Sequence, residues 1–151
     1  MIRSLAVIAF TIMSAFTFAS GPISWKFSAA SSADGNILVS LQANCEEGWH
    51  IYALTLPRDD GPFPTVVRMT SDKAYNASAP VQEPLPVEVD DPNFQMKVRY
   101  HTGSPVFTVP IKRTSEGAFE VKGEVEFMSC NDKTCLPPQV VKFTVPIAAL
   151  K

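Results

Sequence analysis

With 151 residues, 13 of them basic and 15 acidic, the chain carries a formal net charge of −2 and its cations are scattered rather than clustered. That balance excludes the basic face that a nucleic acid or an anionic membrane surface would require. At 46% hydrophobic residues the chain can bury one core, and its length suits one domain better than two.

The first nineteen residues stand apart from the rest. Arg3 gives a short basic start, Leu5 to Phe18 is an apolar run broken only by small Ser and Thr, and Thr17 and Ala19 sit at the minus-three and minus-one positions of a cleavage site. This is the pattern of a secretory signal peptide over residues 1–19, which leaves a mature domain over 20–151. A run of about fourteen apolar residues is short of the roughly twenty that span a bilayer. Removing Arg3 leaves twelve basic against fifteen acidic residues, a net charge of −3. The mature protein is expected to be exported, monomeric and without stable membrane insertion, in a compartment where disulfides persist.

Ile23 to Phe27 and Asn36 to Ala43 alternate apolar and polar residues, with Ala33-Asp34-Gly35-Asn36 as a turn between them. Ile37, Val39 and Leu41 should face one way, and Leu38, Ser40 and Gln42 the other. Trp49-His50-Ile51-Tyr52 reads as a further strand. Pro57 to Pro64 is a loop, Thr65 to Met69 resumes strand character, and Pro80, Pro84 and Pro86 mark an extended connection along an edge. Met96 to His101 and Val106 to Ile111 are strands joined by a turn at Thr102-Gly103-Ser104-Pro105. After a turn at Ser115-Glu116-Gly117, a hairpin runs from Val121 through Phe127 and back from Val140 to Val145. No stretch of the mature chain keeps a helical period, so short strands with frequent turns predict an all-β, immunoglobulin-like sandwich, with a closed barrel as the alternative.

Three cysteines leave one over. Cys130 and Cys135 face each other across a four-residue tip, where Cα atoms about 4.5–5.5 Å apart suit a disulfide. A six-residue ring gives only roughly 2 kcal/mol of chain-entropy stabilisation. Spacing leaves both a structural clip and a redox switch open. Lys133 would favour a thiolate there and Asp132 would oppose it. Cys45, beside Glu46 and Glu47, reads as a poor nucleophile: a small buried hydrophobe, or else a thiol that forms a disulfide with a partner or resolves one. Zinc would need His50 and His101 as further ligands, and neither has a ligand's short spacing. No metal and no cofactor are expected. Asp59-Asp60 and Asp90-Asp91 lie in Pro-rich loops, where solvated acids are the ordinary case, and Trp49 and Tyr52 read as strand-face aromatics.

The run Cys130-Asn131-Asp132-Lys133-Thr134-Cys135-Leu136-Pro137-Pro138 resembles the N-terminal periplasmic domain of the thiol:disulfide interchange protein DsbD. Gly48-Trp49-His50-Ile51-Tyr52 is similar to that family's glycine-aromatic-x-x-tyrosine strand, and Asp91-Pro92-Asn93-Phe94 to its acidic, aromatic cap loop. The resemblance implies an immunoglobulin-like domain with a redox cysteine hairpin and a cap loop. Such a domain takes electrons from a membrane-embedded DsbD-like redox protein and passes them to exported, periplasmic thioredoxin-like proteins. It implies Cys130 and Cys135 as the redox pair, with Cys135 the sulfur attacked in exchange. Phe94 would shield the pair, Asp90 and Asp91 would influence proton movement near the sulfurs, and Tyr52 would flank the site. The family's cap usually reads acid-acid-x-aromatic-glycine. Here Pro92 should stiffen the loop, and Gln95 should remove a residue free to take positive φ.

Overall fold

The computed structural model describes residues 17–31 and 35–150, with side chains from Gly21 onward. The expected leader falls outside it save for its last three residues, as do Ala33 and Asp34 of the first expected turn. Among the described residues there is no helix, and the strands are β1 (Thr17–Ser20), β2 (Ile23–Ser31), β3 (Asn36–Cys45), β4 (His50–Tyr52), β5 (Val66–Met69), β6 (Tyr75–Ala77), β7 (Val87–Asp91), β8 (Met96–His101), β9 (Val106–Arg113), β10 (Phe119–Cys130) and β11 (Cys135–Ile147). They form two sheets. One runs β1-β2-β3-β9-β6; the other runs β11-β10-β4-β8-β7, with β5 paired to a further stretch of β10. The expected sandwich is present, and neither sheet closes into a barrel.

Period-two alternation places the core between the sheets. On β3, Ile37, Val39, Leu41 and Ala43 are buried, and the register sets Ile37 opposite Ile111, Val39 opposite Val109 and Leu41 opposite Phe107. The second sheet answers with Val121, Val125 and Phe127 from β10 and Val141, Phe143, Val145 and Ile147 from β11. Trp25 sits at the centre, its ring 5.4 Å from that of Phe127 and 6.0 Å from that of Phe107. Each fully buried side chain of this kind contributes about 1.5–3 kcal/mol. Gly123 lets β5 lie close along β10: a Cβ there would meet the Arg68 carbonyl oxygen at 2.6 Å and the Phe143 ring at 2.7 Å.

Three strands differ from the sequence reading, the first being β1, which falls at the end of the expected leader. β6 holds one buried apolar residue, Tyr75, in a polar stretch too short to show alternation. β7 starts only after Pro86, the first point at which every backbone N–H is free to pair, and becomes the edge of the second sheet beyond β8.

Candidate functional site

The site lies on the outer face of the second sheet, and β4 builds its floor. All three residues of β4 are buried. Ile51 points into the inter-sheet core, so alternation turns His50 and Tyr52 the other way. Register places His50 opposite Cys130 on β10 and Tyr52 opposite Tyr100 on β8. Tyr52, Val98 and Cys130 form a second, smaller buried cluster, with Val89, Phe94, Met96, Tyr100, Met128 and Cys135 packed around it.

Cys130 and Cys135 are disulfide-bonded, with Cα atoms 4.0 Å apart, closer than the spacing of ordinary paired strands suggests. The tip is wound tight by Asn131: its N–H donates to the Thr134 carbonyl, and its Oδ1 accepts the N–H groups of Lys133 and Thr134, all at 2.9 Å. The double proline has a geometric role. Pairing jumps from Phe127–Gln139 to Ser129–Leu136, so Pro137 and Pro138, which have no N–H to donate, occupy an irregularity of an edge strand. The two sulfurs differ in access: Cys130 is fully buried, whereas Cys135 is half-buried.

Residues 91–95 form the cap. Asp91 acts as an N-cap for a single turn: its Oδ1 accepts the N–H groups of Asn93 at 2.7 Å and Phe94 at 3.2 Å. Pro92 then occupies the first helical position, where its fixed φ suits the turn and its missing N–H is no loss. The turn closes with the Gln95 N–H donating to the Asp91 carbonyl at 2.8 Å and Gln95 at φ 53°. The expectation for Gln95 is therefore corrected. Glutamine takes the left-handed conformation itself, at a cost of roughly 1–2 kcal/mol against a right-handed one, because the Asp91 bonds on either side fix the turn.

Asp91 ties this cap to the floor. Its Oδ2 accepts the Tyr52 hydroxyl at 2.7 Å, and the carboxylate is almost wholly buried. Burial first, then the bond to Asp91 and its charge, push the Tyr52 phenol far above its ordinary pKa, so it stays a donor. Phe94 lies edge-on to Tyr52 at 6.1 Å and packs on the cysteine cluster. A second tie runs from Asn93 Nδ2 to the Asn131 carbonyl at 3.0 Å, joining cap to cysteine loop. Asp90 is not brought in: alternation turns it away from Asp91, and it is exposed, 3.7 Å from Lys97 Nζ.

Three contributors escape a reading by motif. His50 stacks on Tyr100 at 4.2 Å, and its Nε2 is 4.0 Å from Asp91 Oδ2. The signal for it was its spacing of two from Tyr52, which on a strand means a shared face. Met96 and Met128 form the other lip, under the Pro-rich loop. The Phe63 N–H points at the Met128 sulfur at 3.5 Å, and a Cβ on Gly61 would meet the Met96 sulfur at 2.6 Å. Nothing in the loop's composition announces these contacts.

Cys45 ends β3, half-buried against the main core rather than in the cysteine cluster. Burial pushes its thiol up to about 11, with a backbone bond from Ile51 opposing, so it is almost entirely protonated at neutral pH. Among the described residues, no group of three or more His, Cys, Asp or Glu side chains could hold a metal ion.

A family model described as the N-terminal region of thiol:disulfide interchange protein DsbD matches residues 18–147. Two solved structures share the fold. The N-terminal periplasmic domain of ScsB from Proteus mirabilis superposes with a TM-score of 0.62 at 15% identity, covering 89% of this chain and 50% of that one. The chain thus spans half the length of that domain's chain. The Neisseria meningitidis DsbD N-terminal domain, in its reduced form, gives a TM-score of 0.54 at 15% identity, covering 80% of this chain and 83% of that one. A comparison with curated protein sequences finds no match.

Proposed function

The chain belongs to the family of DsbD N-terminal domains, and from that premise we propose that it is a thiol–disulfide exchange protein working through Cys130 and Cys135. The observation that carries the reading is the unequal burial of the bonded pair beneath a tethered cap. In-line attack on a disulfide needs one reachable sulfur and one that can leave. Cys135 is half-buried and Cys130 fully buried, so Cys135 is the sulfur that bonds a partner and Cys130 the one that resolves the mixed disulfide.

Phe94 and the turn led by Asp91 shield the pair until a partner displaces them, and Tyr52 anchors the turn. Asp90, exposed on the opposite face, has no part in this proposal. The electron donor is a membrane-embedded DsbD-like redox protein, and the acceptors are thioredoxin-like proteins of the same exported compartment, the periplasm. Cleavage after Ala19 delivers the chain there. Only Ser20 of β1 survives that cleavage, so the first sheet of the mature protein effectively begins at β2.

The test is trapping in the exported fraction. Cys130→Ala leaves a mixed disulfide through Cys135 with no resolving thiol, so partner adducts should accumulate and vanish on reduction. Cys135→Ser should yield none. Absence of adducts from Cys130→Ala, together with a reduction potential below about −300 mV, typical of structural bonds, would reduce the pair to a clip.

A further inference from the structure

The exchange cycle needs a proton acceptor inside the site. In the reduced protein Cys130 must give up a proton before it attacks the Cys135–partner bond, and in the disulfide-bonded structure it is fully buried. Its neighbour across the ladder is His50, whose side chain lies on the same face; such cross-strand pairs have Cβ atoms about 4.5–5.5 Å apart. Nε2 of His50 is buried and has no hydrogen-bond partner; among the described residues Trp25 Nε1, Asn44 Nδ2 and Ser129 Oγ share that condition, and of the four only the imidazole nitrogen can take up a proton. A buried polar atom left unpaired costs about 1–3 kcal/mol, which makes it a sign of use elsewhere in the cycle.

We propose that His50 is the base that takes the Cys130 thiol proton on Nε2 during resolution of the mixed disulfide, with Asp91 balancing the charge that results. The inference rests on the exchange reading above. The groups facing His50 are Tyr52 on its own strand, Tyr100 stacked on it from β8, Asp91 at the end of β7, and Asp132 in the cysteine loop, which acts on it through its charge. None of these is a cation. Burial lowers the histidine's pKa from 6.5, against the opposing pull of Asp91 and Asp132, so the ring is neutral and able to accept at neutral pH.

Cys135 thiolate attacks the partner disulfide; one S–S bond forms, one breaks, and the first partner sulfur leaves as thiolate. Cys130 S–H passes its proton to His50 Nε2, and the Cys130 thiolate attacks Cys135 Sγ. The Cys130–Cys135 bond forms, the mixed disulfide breaks, and the second partner sulfur leaves as thiolate. Two electrons pass to the partner, and the imidazolium returns its proton to that thiolate or to solvent.

The probe is a chromogenic aromatic disulfide, dithiobis-nitrobenzoate, added to the reduced protein in a Cys45→Ala background. The first equivalent of thionitrobenzoate reports attack by Cys135, and the second reports resolution by Cys130. General base catalysis contributes roughly 10²–10⁴-fold. Since a thiol ionises partly unaided, His50→Gln should slow the second phase by at least about tenfold and leave the first unchanged. The parent's second phase should be flat between about pH 6.5 and 8, whereas that of His50→Gln should climb with thiolate fraction across that range. Equal second phases and equal profiles in the two proteins would overturn the assignment. Should His50→Gln fail to fold, as judged by circular dichroism, the parent profile decides, because a rate rising through pH 8 overturns it too. If Cys135→Ser leaves the first phase intact, the exchange reading itself fails, and this inference with it.

Discussion

The two faces of the second sheet are made by the same strands and do different work. The inner face of β4 and β10 carries Ile51, Val125 and Phe127, which merge with Trp25 and Phe107 into one apolar core. The outer face of the same strands carries His50, Tyr52 and Cys130, covered only by one turn and a Pro-rich loop. The inner face is closed by a whole second sheet, so its contacts are numerous and apolar. The outer face is closed by a handful of directional bonds, most of which end on Asp91. A sheet can thus devote one surface to stability and lend the other to chemistry that needs opening, since a few hydrogen bonds of about 0.5–1.5 kcal/mol each break far more readily than a core.

The sharpest way to break this contrast is to cut each face at its centre. Trp25→Ala removes the side chain at the middle of the inner face and should cost about 3–5 kcal/mol in urea unfolding. The rate at which Cys135 reacts with a small aromatic disulfide should stay unchanged under native conditions. Asp91→Ala cuts the outer face. It removes an N-cap worth about 0.5–2 kcal/mol and leaves the Tyr52 hydroxyl without its acceptor. Stability should fall by less than in Trp25→Ala, while reduction of the Cys130–Cys135 bond by dithiothreitol should accelerate as the cap opens. If the two variants lose stability equally and neither changes sulfur reactivity, the division between faces is wrong.

These two positions also mark what could be read from the sequence. Trp25 and the alternation of Ile37, Val39 and Leu41 announce an inner face, because a half-buried strand writes its burial as period two. The cysteine pair was legible for the same local reason: a four-residue tip fixes its own geometry. Asp91 was visible as one of two adjacent acids, but not its separation from Asp90. That depends on β7 being a strand, and the prolines before it hid the strand. His50 was hidden differently. β4 is buried on both faces, so its residues show no polar side, and a histidine there looks like any other. Met96 and Met128 meet the loop at 57–64 only through tertiary contact, which no local pattern encodes.

A smaller effect is expected from pH. Burial holds the folded pKa of His50 below its ordinary 6.5, although Asp91 and Asp132 pull the other way. The unfolded chain then takes up a proton before the folded one as pH falls. Stability linked to the neutral ring is complete above about pH 6.5 and is lost as pH drops through the folded value. The melting temperature of the parent should therefore fall more steeply below pH 6.5 than that of His50→Gln. Parallel curves for the two proteins would mean that the outer face tolerates a charged imidazole as well as water does.

The smallest change falls on Gln95, and it separates two ways of holding a cap. If the turn is fixed by backbone geometry, Gln95→Gly relieves a left-handed conformation worth roughly 1–2 kcal/mol and gives back about 0.4–1 kcal/mol to the freer unfolded chain. The net gain should be about 0.5 kcal/mol by urea unfolding, and dithiothreitol should reduce the Cys130–Cys135 bond slightly more slowly because the closed cap is more populated. If contacts of the glutamine side chain hold the turn instead, the same substitution should lower stability and speed reduction, as Asp91→Ala does. The bonds at Asp91 favour the first outcome, since both of its side-chain acceptors and its own carbonyl are engaged without the Gln95 side chain. A cap fixed in this way releases as a unit when the single carboxylate that leads it lets go.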